Sequence, residues 1–356
     1  MTTYDLVFVG FGNVGRRFAA LLDEKRAFLK REGIAIRVVG AVTRSHGCTS
    51  RGRQVPFRGI DTVLDLIARN RAAARESRLV LVETTTLDIA RGEPATTHVR
   101  AGLAGGAHVI TANKGPAAFA HHALSRAARL AGRRFLFEGA VMDGIPIFNL
   151  VRETLPAVRV SRFRGVVNTT TNYILTAMEE GQPFAHALAK MQAMGIAEAD
   201  ASLDLDGWDA AAKTAALANA LFDARITPHQ IQREGITADS GRRAVEARRS
   251  HRRLKLVASA GRVGDRVDAR VALEELADDD LLATLEGPQN AIVLHTDLLG
   301  EMAIVQRGSG LTQTAYALLS DLVTIARARV DARATRRPPT KAPARRSPSP
   351  SRRRKR

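Results

Sequence analysis

Three glycines near the start of the chain constrain its fold more than any other feature. Residues 4–10 form a short apolar run, and Gly10-Phe11-Gly12-Asn13-Val14-Gly15 follows before apolar residues resume at helical spacing over 16–22. Strand, tight turn and helix in that order are the context in which a G-x-G-x-x-G turn holds a dinucleotide. The first glycine permits the turn, the second lets backbone approach a pyrophosphate, and the third lets helix and strand pack closely. The helix N-terminus adds free N–H groups and partial positive charge for the phosphates. Further β-prone runs occur at 36–43, 79–84, 108–112 and 134–139, with helical stretches at 97–102 and 117–131. This alternation predicts an α/β fold, a Rossmann-type parallel sheet covered on both faces, over residues 1–145.

After Pro146 the rhythm changes. A helix is expected over 147–155, a strand over 160–167, helices over 172–180 and 184–194, an acidic loop, and an Ala-rich helix over 208–222. Runs at 267–273 and 291–296 predict strands of an antiparallel sheet, and a last helix is expected over 312–328. We read residues 146–304 as a second, α+β domain for substrate binding and dimerisation, with 305–331 returning to complete the first. An open sheet edge or face can pair across a two-fold axis, so a homodimer is the expected assembly. Arg242, Arg243, Arg248, Arg249, Arg252 and Arg253 are expected to form one charged helix face. His121 and His122 lie on a helical stretch with no partner motif and receive no role.

The net charge of +18 over 356 residues suggests a nucleic-acid binder until its distribution is examined. Residues 332–356 hold nine Arg, two Lys and no acid, supplying +11 and leaving +7 for the rest. That Arg/Pro/Ser-rich tail has too little apolar surface to offset its ordering entropy and is expected to be disordered. Contact with RNA or another polyanion is the alternative reading of the tail. Cys48 is the one cysteine, which excludes an internal disulfide and a thiolate-rich metal site. No apolar run approaches the ~20 residues that span a bilayer, and the start MTTYDLVFVG lacks a charged signal-peptide region. A cytoplasmic location without membrane association is expected.

Cofactor choice depends on the end of the second strand, where NAD-binding proteins usually place an acid. Here Ala41-Val42-Thr43-Arg44-Ser45 stands there, with no acid from Gly33 to Gly59. Arg44, helped by Ser45, suits a 2′-phosphate, so NADP is favoured and NAD is the alternative.

The most informative stretch runs from Gly195 to Lys213, with Glu198, Asp200, Asp204, Asp206 and Asp209 inside it. Asp209 and Lys213, four apart on a helix, share one face. Asp206 is the expected N-cap, with Gly207 in the tight entry. Paired carboxylates suit an α-ammonium group, and a lysine among them can position a carbonyl oxygen and exchange a proton with it.

This stretch resembles the homoserine dehydrogenase pattern of Gly, Glu, Asp, Asp, Gly, Asp, Lys. Other segments are similar to motifs of the same family. They are Thr111-Ala-Asn-Lys114, Glu138-Gly-Ala-Val141-Met-Asp143-Gly-Ile145-Pro146, Asn168-Thr-Thr-Thr-Asn172-Tyr173-Ile-Leu175, and Gly308-Ser-Gly310-Leu-Thr-Gln-Thr314-Ala315 with Asp321. The resemblance covers residues 5 to about 330. It implies NAD(P)-dependent interconversion of L-aspartate 4-semialdehyde and L-homoserine, in threonine, methionine and isoleucine biosynthesis. By position it implies Lys213 and Lys114 as catalytic lysines, and Glu198 and Asp209, with Asp204 nearby, as substrate holders. Cofactor contacts would come from Gly10, Phe11, Gly12, Asn13, Val14, Gly15, Arg44, Thr84, Thr85, Lys114 and Gly310. Glu138, Val141, Asp143 and Ile145 would surround a sodium ion, partly through backbone carbonyls, an all-oxygen set suited to a hard cation. Two positions depart from the pattern: Thr169 replaces a common glycine, and Asp143 occupies a small-residue position. Two neighbouring lysines are expected to depress each other's pKa.

Overall fold

The computed structural model of the chain describes residues 1–44, 47–49, 54–194 and 200–334. Among them, seven strands form the first sheet: β1 (Thr2–Val9), β2 (Ile34–Val42), β3 (Gly47–Thr49), β4 (Gln54–Val55), β5 (Leu79–Glu83), β6 (His108–Thr111) and β7 (Phe135–Leu136). Their order is β4-β3-β2-β1-β5-β6-β7. The pairs among β1, β2, β5, β6 and β7 are parallel, and β3 and β4 extend the β2 edge antiparallel. β1 and β5 read as near-continuous apolar runs because helices bury both of their faces. Between the strands lie α1 (Asn13–Glu24), α2 (Arg26–Arg31), α3 (Ile60–Arg69), α4 (Arg71–Arg75), α5 (Ala95–Ala104) and α6 (Lys114–Leu130). Phe18, Leu21 and Leu22 of α1 pack with Leu6, Phe8 and Val80 on one face. Val63 of α3, Val99 of α5 and Leu124 of α6 pack with Val7, Val9 and Leu81 on the other.

The second half opens with a helix over 148–154, close to the expected 147–155, whose last five residues, Leu150–Thr154, wind as a π-helical turn. Then come β8 (Val160–Val166), α7 (Thr169–Glu179), α8 (Phe184–Ala193), α9 (Ser202–Leu205), α10 (Trp208–Phe222), β9 (Gln232–Arg233), α11 (Ser240–Arg249), β10 (Arg252–Val263), β11 (Arg266–Ala277), β12 (Asn290–Thr296) and β13 (Gly300–Gln306). They build a sheet in the order β13-β12-β8-β10-β11-β9, antiparallel except where β9 joins β11. Helices α7, α10 and α11 pack against β10. Ala211, Ala215 and Ala218 of α10 are wholly buried. Alanine keeps that helix favourable and its surface flat, so α10 lies close to both the sheet and α6. Finally α12 (Leu311–Ala334) returns to the first sheet, with Ala315, Leu318 and Leu322 in the same apolar cluster as α1 and β1.

Arg252 and Arg253 are not on the charged helix, which ends at Arg249; they open β10. His251, at φ +53°, redirects the chain between the two elements. The arginines hid the strand because their charges interrupt its apolar alternation, and the Arg253 Nε donates to the buried Glu179 carboxylate at 2.8 Å. Strand β13 also escaped the sequence reading. Helix α7 begins at Thr169, so Asn172 sits inside it and caps nothing. Its Nδ2 instead donates to the Gly287 and Gln289 carbonyls at 3.1 and 2.9 Å. Helix α12 runs through Ala334, three residues into the expected tail, and the rest of that tail lies outside the described residues. Among the described residues no helix is long and apolar enough to cross a membrane.

A buried acid ties α12 to the junction between the two halves. Asp321 accepts hydrogen bonds from the Glu138 N–H at 3.0 Å and from the Asn149 Nδ2 at 2.9 Å. Burial, then the negative charge of Glu138, pushes its pKa from 3.8 up to about 7. A carboxyl whose pKa is raised by folding holds its proton more tightly in the folded state. Stability is therefore lost as pH rises from the ordinary value through the folded one, by at most about 1.4 kcal/mol per pH unit. Asp321→Asn is expected to remove that slope, so the variant should gain on the parent in urea denaturation between pH ~4 and ~7. A difference that stays constant over this window would show that Asp321 does not titrate there.

Candidate active site

The three glycines of the first turn have separate physical tasks. Gly10 has φ +85°, and a Cβ there would lie 2.6 Å from the Thr84 carbonyl. A Cβ on Gly15 would press on Thr84 Oγ1 at 3.1 Å. A Cβ on Gly12 would meet nothing within 4 Å, so this glycine borders open space at the head of α1. The first helical bond is Arg16 N–H to the Gly12 carbonyl, which leaves the N–H groups of Asn13, Val14 and Gly15 without partners inside the helix. The residues fit a pyrophosphate. Phe11 stacks edge-on against Phe8 at 5.2 Å, and Thr84 Oγ1 donates to the Gly10 carbonyl at 2.9 Å. Arg44 stands exposed just past β2; Ser45 lies outside the described residues.

Glu83, wholly buried at the end of β5, organises the adjacent wall. Its carboxylate accepts from the Thr85 N–H at 3.0 Å, from Thr85 Oγ1, and from Thr111 Oγ1 at 2.7 Å. Thr111 Oγ1 in turn accepts from Asn113 N–H at 2.9 Å, and the Asn113 side chain caps α6 by accepting from Gly115 N–H at 2.8 Å. Asn113 Nδ2 closes the circuit on the Thr85 carbonyl at 3.0 Å. One carboxylate thus fixes both the Thr85 turn and the start of the helix that carries Lys114. Glu83 is not among the site residues expected above; its signal in the chain is an acid at the end of the all-apolar run Leu-Val-Leu-Val.

Lys114 and Lys213 meet on one carboxylate. Asp209 Oδ1 lies 3.2 Å from the Lys114 Nζ, and Oδ2 lies 2.9 Å from the Lys213 Nζ. Lys213 also donates to the Val167 carbonyl at 2.6 Å. Asn168, the N-cap of α7, accepts from Thr171 N–H and uses its Nδ2 to bridge Asp204 and Asp209, at 2.8 Å each. Helix α10 itself starts without a side-chain cap. Gly207, at φ +77°, occupies the position expected of Asp206, because a Cβ there would sit 2.8 Å from the Glu234 carbonyl. Glu198 lies outside the described residues.

The charges in this cluster correct one expectation. Burial opposes the Lys213 ammonium, but the carboxylates of Asp209, Asp143 and Asp204 outweigh it and raise its pKa. The acids around Lys213 therefore set the direction of its shift, opposite to the one expected. Burial likewise works against the Asp209 carboxylate, and Lys213 and Lys114 overcome it, holding its pKa well below the usual range. Asp204 moves the other way, raised by burial and by the nearby Asp209 charge. The cluster therefore offers two ammonium groups, one fixed carboxylate, and a second carboxyl that takes a proton more readily.

The loops from 138 and 308 close the site's far side. Both Glu138 oxygens are taken: Oε1 accepts from the Ile147 and Phe148 N–H groups at 2.6 and 2.9 Å, and Oε2 from the Asn149 N–H at 2.6 Å. Asp143, at φ +55°, accepts from Gln306 Nε2 and Thr314 Oγ1 at 3.3 Å each. The loops press together tightly, since a Cβ on Gly144 would lie 2.1 Å from the Gln313 carbonyl. Val141 is buried, Ile145 is half-buried, and the Gly310 carbonyl accepts from Gln313 and Thr314 N–H. Among the described residues no group of three His, Cys, Asp or Glu side chains could hold a metal.

The family model for homoserine dehydrogenase matches residues 146–323, and that for the homoserine dehydrogenase NAD-binding domain matches 10–138. The chain belongs to the homoserine dehydrogenase family. An NAD(+)-dependent homoserine dehydrogenase from Pseudomonas canavaninivorans is 36% identical over 345 residues, 91% of this chain and 97% of the relative. A homoserine dehydrogenase from Methanocaldococcus jannaschii is 33% identical over 90% of this chain and 98% of its own length. The crystal structure of a homoserine dehydrogenase from Thiobacillus denitrificans superposes with a TM-score of 0.78 at 29% identity, covering 95% of this chain and 76% of that one. The chain is thus an oxidoreductase with a Rossmann-type NAD-binding half and a second α/β half.

The Asn168 bridge yields a test of the candidate site in this homoserine dehydrogenase. Asn168→Asp keeps the oxygen that caps α7 but replaces the bridging N–H group with a third carboxylate beside Asp204 and Asp209. Two hydrogen bonds to carboxylates are lost, each worth about 1.5–3 kcal/mol, so kcat/KM should fall roughly tenfold or more while the circular dichroism spectrum is unchanged. Parent-like kinetics would mean that the bridge has no part in the site.

Proposed function

We propose that this homoserine dehydrogenase interconverts L-homoserine and L-aspartate 4-semialdehyde with NADP, using Lys213 and Lys114 on the reacting oxygen. The observation that carries this reading is the meeting of Lys114 with Asp209 and Lys213, at a helix start that Asn113, Thr85 and Thr84 connect to the glycine turn. The nicotinamide, when bound, supplies hydride exchange at the carbon bearing that oxygen. Gly10, Gly12 and Gly15 would admit the pyrophosphate to the head of α1, with Phe11, Asn13, Val14, Thr84, Thr85 and Gly310 around it. Lys213 Nζ, kept charged by its acids, would stabilise negative charge growing on the aldehyde oxygen and deliver a proton to it. In the oxidative direction the same Nζ must first be free of that proton. Lys114 adds a second positive charge, and Asp209 holds both ammonium groups at fixed distance. Glu198, Asp209 and Asp204 would receive the substrate's α-ammonium group. Lys213→Ala should leave NADPH binding intact and lower turnover by about 10²-fold or more, and ordinary turnover in that variant would refute the assignment.

For the nucleotide, Arg44 and the absence of an acid between Gly33 and Gly59 support the 2′-phosphate. The NAD(+)-dependent name of one relative makes NAD the rival. Homoserine oxidation followed by nicotinamide absorbance, with each cofactor in turn, decides between them. Arg44→Asp should raise the KM for NADP by about tenfold or more and leave that for NAD nearly unchanged. Equal effects on both would remove Arg44 from cofactor choice.

A sodium ion at the 138–145 loop would draw mainly on the backbone carbonyls of Glu138, Val141, Asp143 and Ile145, because three N–H groups already use most of the Glu138 carboxylate's acceptor capacity. We place the cofactor half at residues 1–145 with 305–331, and the substrate and dimerisation half at 146–304. A homodimer through the second sheet is supported by β13, where Ala303 and Val305 are exposed while Ile304 packs toward the core. We assign the enzyme to the cytoplasm and to threonine, methionine and isoleucine biosynthesis, on the sequence resemblance.

A further inference from the structure

A cavity of about 570 Å³ opens between the later turns of α6, the end of α10 and the π-helical turn Leu150–Thr154. It shares no residue with the acid–lysine cluster. At 1.5 Å per residue, its first α6 residue, His121, is about 10 Å along that helix from Lys114. Three buried phenylalanines line its floor: the rings of Phe135 and Phe137 are 5.0 Å apart, and those of Phe137 and Phe148 are 4.7 Å apart. His121 stands edge-on to Phe137 at 5.4 Å, and its Nδ1 is buried without a hydrogen-bond partner. Burial lowers the pKa of His121 to about 4, so at neutral pH it is an uncharged polar group awaiting a partner.

The rim has the opposite character. Arg129, Arg133, Arg134 and Arg152 line the cavity against one carboxylate, Glu153. Arg134 and Arg152 both reach that carboxylate, at 2.6 and 2.9 Å, so positive charge remains in excess. The wall that carries Arg152 and Glu153 is the π-helical turn, a rare winding that is frequent at functional sites. A volume of this size, an aromatic floor and a few convergent polar groups are the usual attributes of a small-molecule site.

We propose that this cavity binds an aromatic carboxylate, its ring on the Phe137 and Phe148 floor and its carboxylate against Arg129 and Arg134. Phe floors favour a flat apolar body, and a guanidinium rim favours a planar anion that it can grip in pairs. The occupant would touch the two helices that carry Lys114 and Lys213 in their N-terminal halves.

Calorimetric titration of the full chain with phenylacetate tests this, with phenylacetamide as the uncharged counterpart of the same shape. Saturable binding at one site per chain is expected, weaker by about tenfold or more for the amide and for Arg129→Glu. Ala220→Phe, which fills the cavity without touching its charges, should abolish binding, and thermal melts identify any variant that fails to fold. Absence of saturable binding, equal binding of acid and amide, or binding untouched by either substitution overturns the proposal. So does a change of oligomeric state in Arg129→Glu by sedimentation, which would make the cavity a contact between copies.

Discussion

A single carboxylate shared between two ammonium groups holds the site together. Asp209 comes from the second half of the chain, Lys114 from the first, and Lys213 from one turn further along the helix of Asp209. Three charges placed where little water reaches are stable only as a set. Removing one partner of such a pair typically costs about 3–5 kcal/mol, because the survivors stay behind uncompensated. The arrangement therefore ties the two halves together and favours the charged form of Lys213. Its second layer is polar and specific: Asn168 bridges two acids while capping α7, and Glu83 sets the helix start that presents Lys114.

The same logic of buried acids recurs at the junction. Glu138 satisfies three consecutive N–H groups, and Asp321 returns on α12 to accept the Glu138 N–H. Both carboxyls have raised pKa values, from burial first. The chain accepts that cost where a turn must be held at the entrance to the second half.

Regular periodicity made most of the architecture readable. The β1, β5 and β6 runs and the Ala-rich α10 follow from apolar patterning and propensity, which act over a few residues. The errors cluster where charge interrupts the pattern. Arg252 and Arg253 read as a helix surface because their neighbours are basic, and only the buried Glu179 and the alternation of Leu254 and Leu256 make them a strand. Asp206 reads as a cap because its residue type suits one, yet the close approach of the Glu234 carbonyl demands glycine at that place.

The chain's own order of residues determined the glycine turn, the alternation of strands and helices, and the list of acids and lysines capable of the chemistry. Those are local properties, written in spacing and side-chain type. Tertiary structure decided which of them meet. It put Asp209 between two lysines, reversing the expected direction of the Lys213 pKa, and it recruited Glu83 and Asn168, whose partners lie up to 41 positions away. Electrostatic energies depend on distance and burial in space, and neither quantity is present in a linear string of residues.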